Sequence, residues 1–217
     1  MNTIFIEDHV VPQLFTSAIE AYEFLHKTPK GKGRDRLETF GLLWGYSIQP
    51  KGNQSTKIIA TMATVETSAT RHTDWVAPDY DSLRMKKEFF GTYWRNIELV
   101  GSFHSHPYEN LAEVNSVTGW RASDGDKGFF PDFHKEIASE QVSLAHLIVT
   151  ITQLERKGTA YPRKLANSEA DKGYVLSADW RKIWLRAYAS EFDSDSDNYA
   201  FTDDVTLEIP SLERRFS

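Results

Sequence analysis

The chain contains no cysteine. Disulfides, thiolate metal ligands and a cysteine nucleophile are excluded together, so any metal must be held by histidine and carboxylate. Long apolar runs are missing too, and no stretch approaches the roughly 20 residues that a membrane-spanning helix needs. The opening Met-Asn-Thr-Ile-Phe-Ile-Glu-Asp carries acid where a secretory signal has a basic head and an apolar run. These absences lead us to expect a soluble, unexported, cytoplasmic protein with no membrane contact. Basic charge is scarce, since 25 Lys and Arg face 31 Asp and Glu for a formal net charge of −6. Nucleic acid is an unsuitable partner for such a surface. The local exception, Lys30-Gly-Lys32-Gly-Arg34-Asp-Arg36, lacks the Gly-Lys-Ser/Thr ending of a phosphate loop and reads as a solvated connector.

What is present is enough for one domain with a full core, given 217 residues of which 13% are aromatic. A short strand is expected at Thr3–Ile6. A helix follows with Pro12 in its first turn and an apolar face of Leu14, Phe15, Ala18, Ile19, Tyr22 and Leu25, to about Lys27. Thr39–Tyr46 and Lys57–Val65 read as strands joined by a hairpin turn at Gln49–Ser55. Asp79 is suited to cap a helix running to about Arg95, with Leu83, Phe89, Phe90 and Tyr93 inward. Ile97–Phe103 is the next strand, Gly128–Ile137 a short helix and Val142–Thr152 a strong strand. Beyond it, Arg156–Lys172 reads as a loop. Tyr174–Ala178 and Ile183–Ala189 read as strand-like pieces, or as a helix starting at Ala178, and Val205–Ile209 as a final strand. No repeat or clean domain boundary is visible. The expectation is a single α/β domain over 1–217, a sheet flanked by helices, with its core at about 10–152 and a C-terminal extension at 153–217.

The chemistry concentrates in Val100-Gly-Ser-Phe-His104-Ser-His106-Pro107. Side chains alternate along a strand, so His104 and His106 point to one side, within reach of one ion. Pro107 cannot extend the ladder and is expected to leave the pair at the strand's open end. With seven histidines and eight prolines in 217 residues, His-x-His-Pro should arise by chance roughly 0.01 times per chain, so the match is informative. Ser123-Asp-Gly-Asp126 follows. A catalytic zinc site takes three protein ligands and keeps one position open. His104, His106 and Asp126 supply two imidazoles and a carboxylate, a set that suits one zinc ion without thiolate. Glu38, just before a buried strand, is left free as general base. Ser123 lies one helical turn before Asp126, where its hydroxyl can donate to a developing oxyanion.

Glu38-Thr-Phe-Gly41-Leu-Leu-Trp-Gly45, His104-Ser-His106-Pro107 and Ser123-Asp-Gly-Asp126, in that order, resemble the JAMM motif of the MPN metalloproteases. The resemblance covers roughly Val10 to Thr152. It implies the cytidine-deaminase-like α/β fold of that family and a stand-alone member of prokaryotic type. It also implies a zinc-dependent peptidase or isopeptidase that releases ubiquitin or a ubiquitin-like protein from its attachment point. Zinc ligands would be His104, His106 and Asp126, the general base Glu38 and the oxyanion donor Ser123. This chain departs from the family in the fifteen residues Tyr108 to Ala122 between Pro107 and Ser123, a longer connection than is usual there. They read as an enlarged loop beside the metal that lines or covers the substrate groove, with Tyr108 and Trp120 as candidate contacts. Because of it Asp124, Glu109 and Glu113 compete for the third ligand position, although only Asp126 keeps the three-residue spacing to a serine.

Blander readings apply to each part. Ser-x-x-Asp is also a helix-capping box, Glu38 alone is a carboxylate beside a strand, and Trp44 and Trp120 suit packing. His9, His26, His72, His134 and His146 read as surface or satisfied core residues. Asp193-x-Asp195-x-Asp197 looks like the start of a calcium loop, but Asn198 stands where that loop needs glycine, so a solvated acidic turn is expected. Two other functions fit the motif: a metallohydrolase of a small or sulfur-carrier adduct, and a non-catalytic MPN scaffold.

Overall fold

The computed structural model describes residues 2–27, 31, 33–49 and 55–214. Strand β1 (Asn2–Ile6) leads to helix α1 (Val11–Glu23), which has Pro12 in its first turn. The helix stops short of Lys27 because Phe24 is already extended and His26 forms a β-bridge to Arg34. That turn returns the chain toward Glu38, and it leaves Leu25 exposed instead of in the apolar stripe. Strands β2 (Phe40–Ile48) and β3 (Lys57–Val65) pair antiparallel as expected. Most of the turn between them, and Lys30 and Lys32 of the basic connector, lie outside the described residues. A two-residue ladder, β4 (Thr70–Arg71) with β5 (Val76–Ala77), precedes α2 (Tyr80–Tyr93). Asp79 caps α2 by accepting from the Asp81 and Ser82 N–H groups. Leu83 and Phe90, seven residues apart, share its inner face, and Phe90 stacks on Trp44 at 3.9 Å. Phe89 and Tyr93 are not inward, as expected from the pattern, but form a second stripe toward solvent.

Strand β6 (Glu98–Asn110) runs through Pro107 instead of ending there. The reason is which side the missing donor faces. The Ser105 N–H reaches the Thr39 carbonyl at 3.0 Å, so the Pro107 nitrogen two residues on points the same way. β2 begins only at Phe40, so no ladder bond is lost there, while the other side of β6 pairs parallel with β7 (Ser143–Gln153) as far as Gln153. Between β2 and β6 the register skips Val100, and this bulge turns Ser102, His104 and His106 to the face carrying α2 and α4. Gly101 is needed beside it, since a Cβ there would lie 2.2 Å from the Ala145 carbonyl oxygen.

After β6 come α3 (Leu111–Val117) and α4 (Asp124–Ile137), which starts four residues earlier than the expected Gly128. After β7, the stretch expected as a loop contains β8 (Ala160–Lys164) and a 3-10 turn (Asn167–Lys172). β9 (Gly173–Ala178) and β10 (Arg181–Asp193) form a hairpin, with Asp179 at φ 59°, so no helix starts at Ala178. β11 (Asn198–Thr202) folds back on β10, β12 (Val205–Glu208) pairs parallel with β1, and α5 (Pro210–Arg214) follows. The acidic triplet is the turn between β10 and β11, with Asp193 accepting from the Asp195 N–H and the Ser196 hydroxyl.

Ten of the twelve strands among the described residues form one mixed sheet in the order β12-β1-β3-β2-β6-β7-β10-β9-β8, with β11 also on β10. The sheet curls so far that Tyr174 of β9 donates to the Leu207 carbonyl of β12 at 3.3 Å. α1 lies inside the curl, its Leu14, Ala18 and Tyr22 packed against Ile4, Phe103 and Leu185. α2 and α4 cover the outer face through Leu83, Phe133 and Ile137 on Phe40, Leu42 and Trp44. The molecule is thus mixed α/β, a large curled sheet flanked by helices. Among the described residues no helix is long and apolar enough to cross a membrane.

Candidate metal centre

Two elements bring the candidate ligands together. β6 sets His104 and His106 side by side, and the first turn of α4 delivers Asp126 to both. The imidazole Nε2 atoms are 3.0 Å apart, and the Asp126 carboxylate lies 3.0 Å from His104 Nε2 and 3.3 Å from His106 Nε2. A tetrahedral ion with bonds of about 2.0–2.1 Å separates its ligand atoms by about 3.3–3.4 Å. The two imidazole nitrogens lie a little closer than that and each meets a different oxygen of Asp126, so the three side chains converge as a group that could hold a metal ion. It is the one group of three or more such side chains with converging donor atoms among the described residues. The competing carboxylates fall away. Asp124 points to solvent and pairs with Lys127 at 2.8 Å, and neither Glu109 nor Glu113 joins the group.

His106 and Asp126 are each held from behind. His106 Nδ1 faces the Gly119 carbonyl at 3.2 Å, so it carries the proton and leaves Nε2 for a metal. The same carbonyl accepts from the Thr150 hydroxyl at 3.1 Å. Asp126 and Ser123 form a full capping box. Asp126 accepts from the Ser123 N–H at 2.7 Å and the Ser123 hydroxyl at 2.8 Å, and its own N–H donates back to Ser123 Oγ at 3.1 Å. The capping and the metal-binding readings are therefore both served by one turn, and the Ser123 hydroxyl proton is directed at the carboxylate.

Charge follows from burial and contact. Burial raises the Asp126 pKa, yet the close contacts with both imidazoles outweigh it and hold the carboxyl well below the usual range. Burial also disfavours the imidazolium form at both histidines. It prevails at His104, whereas Asp126, Glu38 and the Gly119 carbonyl prevail at His106 and raise it. Glu38 is 7% exposed. Burial pushes its carboxyl up to about 8, with Asp126 and Asp74 adding to the rise and His106 opposing it. No side-chain hydrogen bond of Glu38 occurs among the described residues, while its N–H donates to the His72 carbonyl at 2.8 Å. A cation on the three ligands acts in the opposite direction to burial and favours the carboxylate.

All five residues open into one cavity of about 400 Å³, with Glu38, His104, His106, Ser123 and Asp126 in its wall. Trp75, Phe129, Tyr108 and the carboxylates of Asp74 and Glu113 complete it. No protein-family model and no curated protein matches the chain. The functional reading stands on this geometry.

His104, His106, Asp126, Glu38 and Ser123, expected from the sequence to share one site, do lie around one cavity. Of the two candidate contacts, Tyr108 lines the cavity, whereas Trp120 packs with Leu165, Val175 and Trp184. The expected enlarged loop is the end of β6 plus α3, anchored by Val114 in that same cluster. Gly119, Thr150 and Trp75 were not anticipated. Thr150 had a signal, a hydroxyl within an apolar strand and opposite His106 in the parallel register. Gly119 acts through its carbonyl, which no residue pattern announces.

Proposed function

We propose that the protein is a zinc-dependent peptidase or isopeptidase acting on the C-terminal tail of a ubiquitin-like protein, in the manner of the JAMM/MPN enzymes. The observation that carries this reading is the convergence of His104, His106 and Asp126 in one cavity with a buried Glu38 whose carboxyl has no hydrogen bond among the described residues. When bound there, a zinc ion supplies Lewis-acid polarisation of water and of the scissile carbonyl. Glu38 takes the proton from the attacking water and passes it to the departing amine. A carboxyl lifted by burial and lowered by a nearby cation has a proton affinity suited to both transfers. The Ser123 hydroxyl at the rim, turned from Asp126, donates to the carbonyl oxygen as it gains charge.

Two features favour an extended tail as substrate. Beyond Ser105 the β2 side of β6 has no strand paired to it among the described residues. Pro107 has no N–H there and the Glu109 N–H is held by Glu113 at 3.0 Å, so the Pro107 carbonyl is the group left to accept from an extended backbone beside the candidate ligands. Asp74 and Glu113 in the wall favour basic side chains near the scissile bond. The test is zinc content and hydrolysis of a panel of tail-linked substrates. Glu38→Gln is expected to keep one zinc equivalent and lose turnover by at least about 100-fold, while His104→Ala loses both. Full turnover in Glu38→Gln removes the base role. A wild-type protein below one equivalent after zinc supplementation supports the scaffold reading instead.

A further inference from the structure

The ligand Asp126 hangs on a short segment, Gly119 to Ser123, and that segment is tied to the C-terminal third of the chain. The Ala122 N–H donates to the phenol oxygen of Tyr188 on β10 at 2.5 Å. Tyr188 is 2% exposed, and its ring is fixed by Phe201 at 5.6 Å, Phe130 at 6.0 Å and the Arg186 guanidinium 4.1 Å above it. Arg186 is itself gripped by Glu169 of the 3-10 turn, Nε to Oε2 at 2.7 Å, and the other Glu169 oxygen accepts from Arg121 at 3.2 Å. Two consecutive residues, Arg121 and Ala122, are therefore anchored on β10 and the turn before β9. The next residue is Ser123, whose N–H and hydroxyl set the Asp126 carboxylate. Four residues before Ser123 stands the Gly119 carbonyl that orients His106.

We infer that Tyr188 is a positioning residue of the metal centre. Its phenol oxygen, through the Ala122 N–H, sets where the Ser123–Asp126 turn stands relative to the two imidazoles. This rests on the metal-site reading above. A purely space-filling tyrosine would not need its hydroxyl, and Tyr188→Phe removes only that atom. The change leaves the Ala122 N–H without its acceptor in a buried place, and the turn shifts to find another. Partners of this kind change metal affinity by about 10–100-fold.

The experiment is titration of cobalt(II) into the metal-stripped full-length protein, followed by its visible absorption, which reports coordination number as well as affinity. Wild type is expected to take up one equivalent with a four-coordinate spectrum. Tyr188→Phe is expected to bind about 10–100-fold more weakly with an altered spectrum. The control is Tyr174→Phe, which deletes another buried phenol, one bonded to the Leu207 carbonyl and Glu213 away from the site. It should show the wild-type spectrum and affinity. Arg121→Ala, at an exposed side chain, cuts the second tether without touching the core and should weaken binding by a few-fold. Wild-type affinity and spectrum in Tyr188→Phe overturn the inference, as does wild-type behaviour in Arg121→Ala should Tyr188→Phe not fold. A wild-type protein that takes up no cobalt overturns the metal reading itself, and the positioning role with it.

Discussion

Beneath the candidate metal centre, four buried side chains form one hydrogen-bonded line. Ser102 meets His146 Nδ1 at 2.8 Å, His146 Nε2 meets Ser190 at 2.8 Å, Ser190 meets His134 Nδ1 at 2.9 Å, and His134 Nε2 meets the Gln141 carbonyl at 2.9 Å. A carbonyl only accepts, so His134 carries its proton on Nε2, and the direction of each further bond follows. Ser190 donates to His134 and accepts from His146, and Ser102 donates to His146. This set of bonds is the one that two neutral rings make. Burial pushes the His134 pKa down to about 4 and that of His146 well below the ordinary value. A histidine whose folded pKa is depressed contributes stability that is complete above about 6.5, the unfolded value, and is lost as pH falls toward the folded one. For His134 the loss between pH 6.5 and 4 is about 3 kcal/mol. Urea unfolding at pH 7 and pH 4.5 should show it. His134→Gln can bond to both neighbours but cannot titrate, so it should lose clearly less over that interval. An equal loss in the variant would refute the assignment.

At the scale of elements, the chain's pattern announced whatever its apolar periodicity controls locally. β3 lies at the expected Lys57–Val65, and α2 starts behind the expected Asp79 cap. The site was legible because its parts are short local motifs, His-x-His on a strand and Ser-x-x-Asp at a helix start. Boundaries failed where tertiary context decides. Pro107 reads as a strand end, yet its nitrogen faces a side with no partner. Gly125 and Gly128 obscured the first turn of α4, which the capping box holds in place. β8, with Tyr161 74% exposed and most of its other residues facing solvent, has no apolar pattern to reveal it. The double duty of Ser123 is open to a clean separation. Ser123→Ala loses the cap and should cost about 1 kcal/mol of stability. Asparagine caps as well as serine but has no hydroxyl, so Ser123→Asn should unfold near the wild-type midpoint while hydrolysis falls. Retained hydrolysis in Ser123→Asn would leave serine with the capping role alone.

For the molecule as a whole, the C-terminal third is part of the sheet's centre rather than an addition to its edge. β10 pairs with β7 along the whole length of β7, from Gln153 opposite Arg181 to Ser143 opposite Glu191, and separates β7 from β9 and β8. β12 closes the other side of the sheet on β1, where the Asn2 side chain also donates to Ser143 at 2.9 Å and to Glu191. Ile183, Leu185, Val205, Leu207 and Ile209 all lie in the core around α1. At about 1.5–3 kcal/mol for each buried side chain, these five alone match the roughly 5–15 kcal/mol by which a domain is stable. Ending the chain at Gln153 would also leave the β7 edge bare and take away Tyr188 behind Ala122. Such a chain should show no cooperative urea transition and no cobalt uptake, whereas the full-length protein shows both. A shortened chain that unfolds cooperatively and still holds cobalt would mean that residues 1–153 form a domain of their own and that β10 only decorates it.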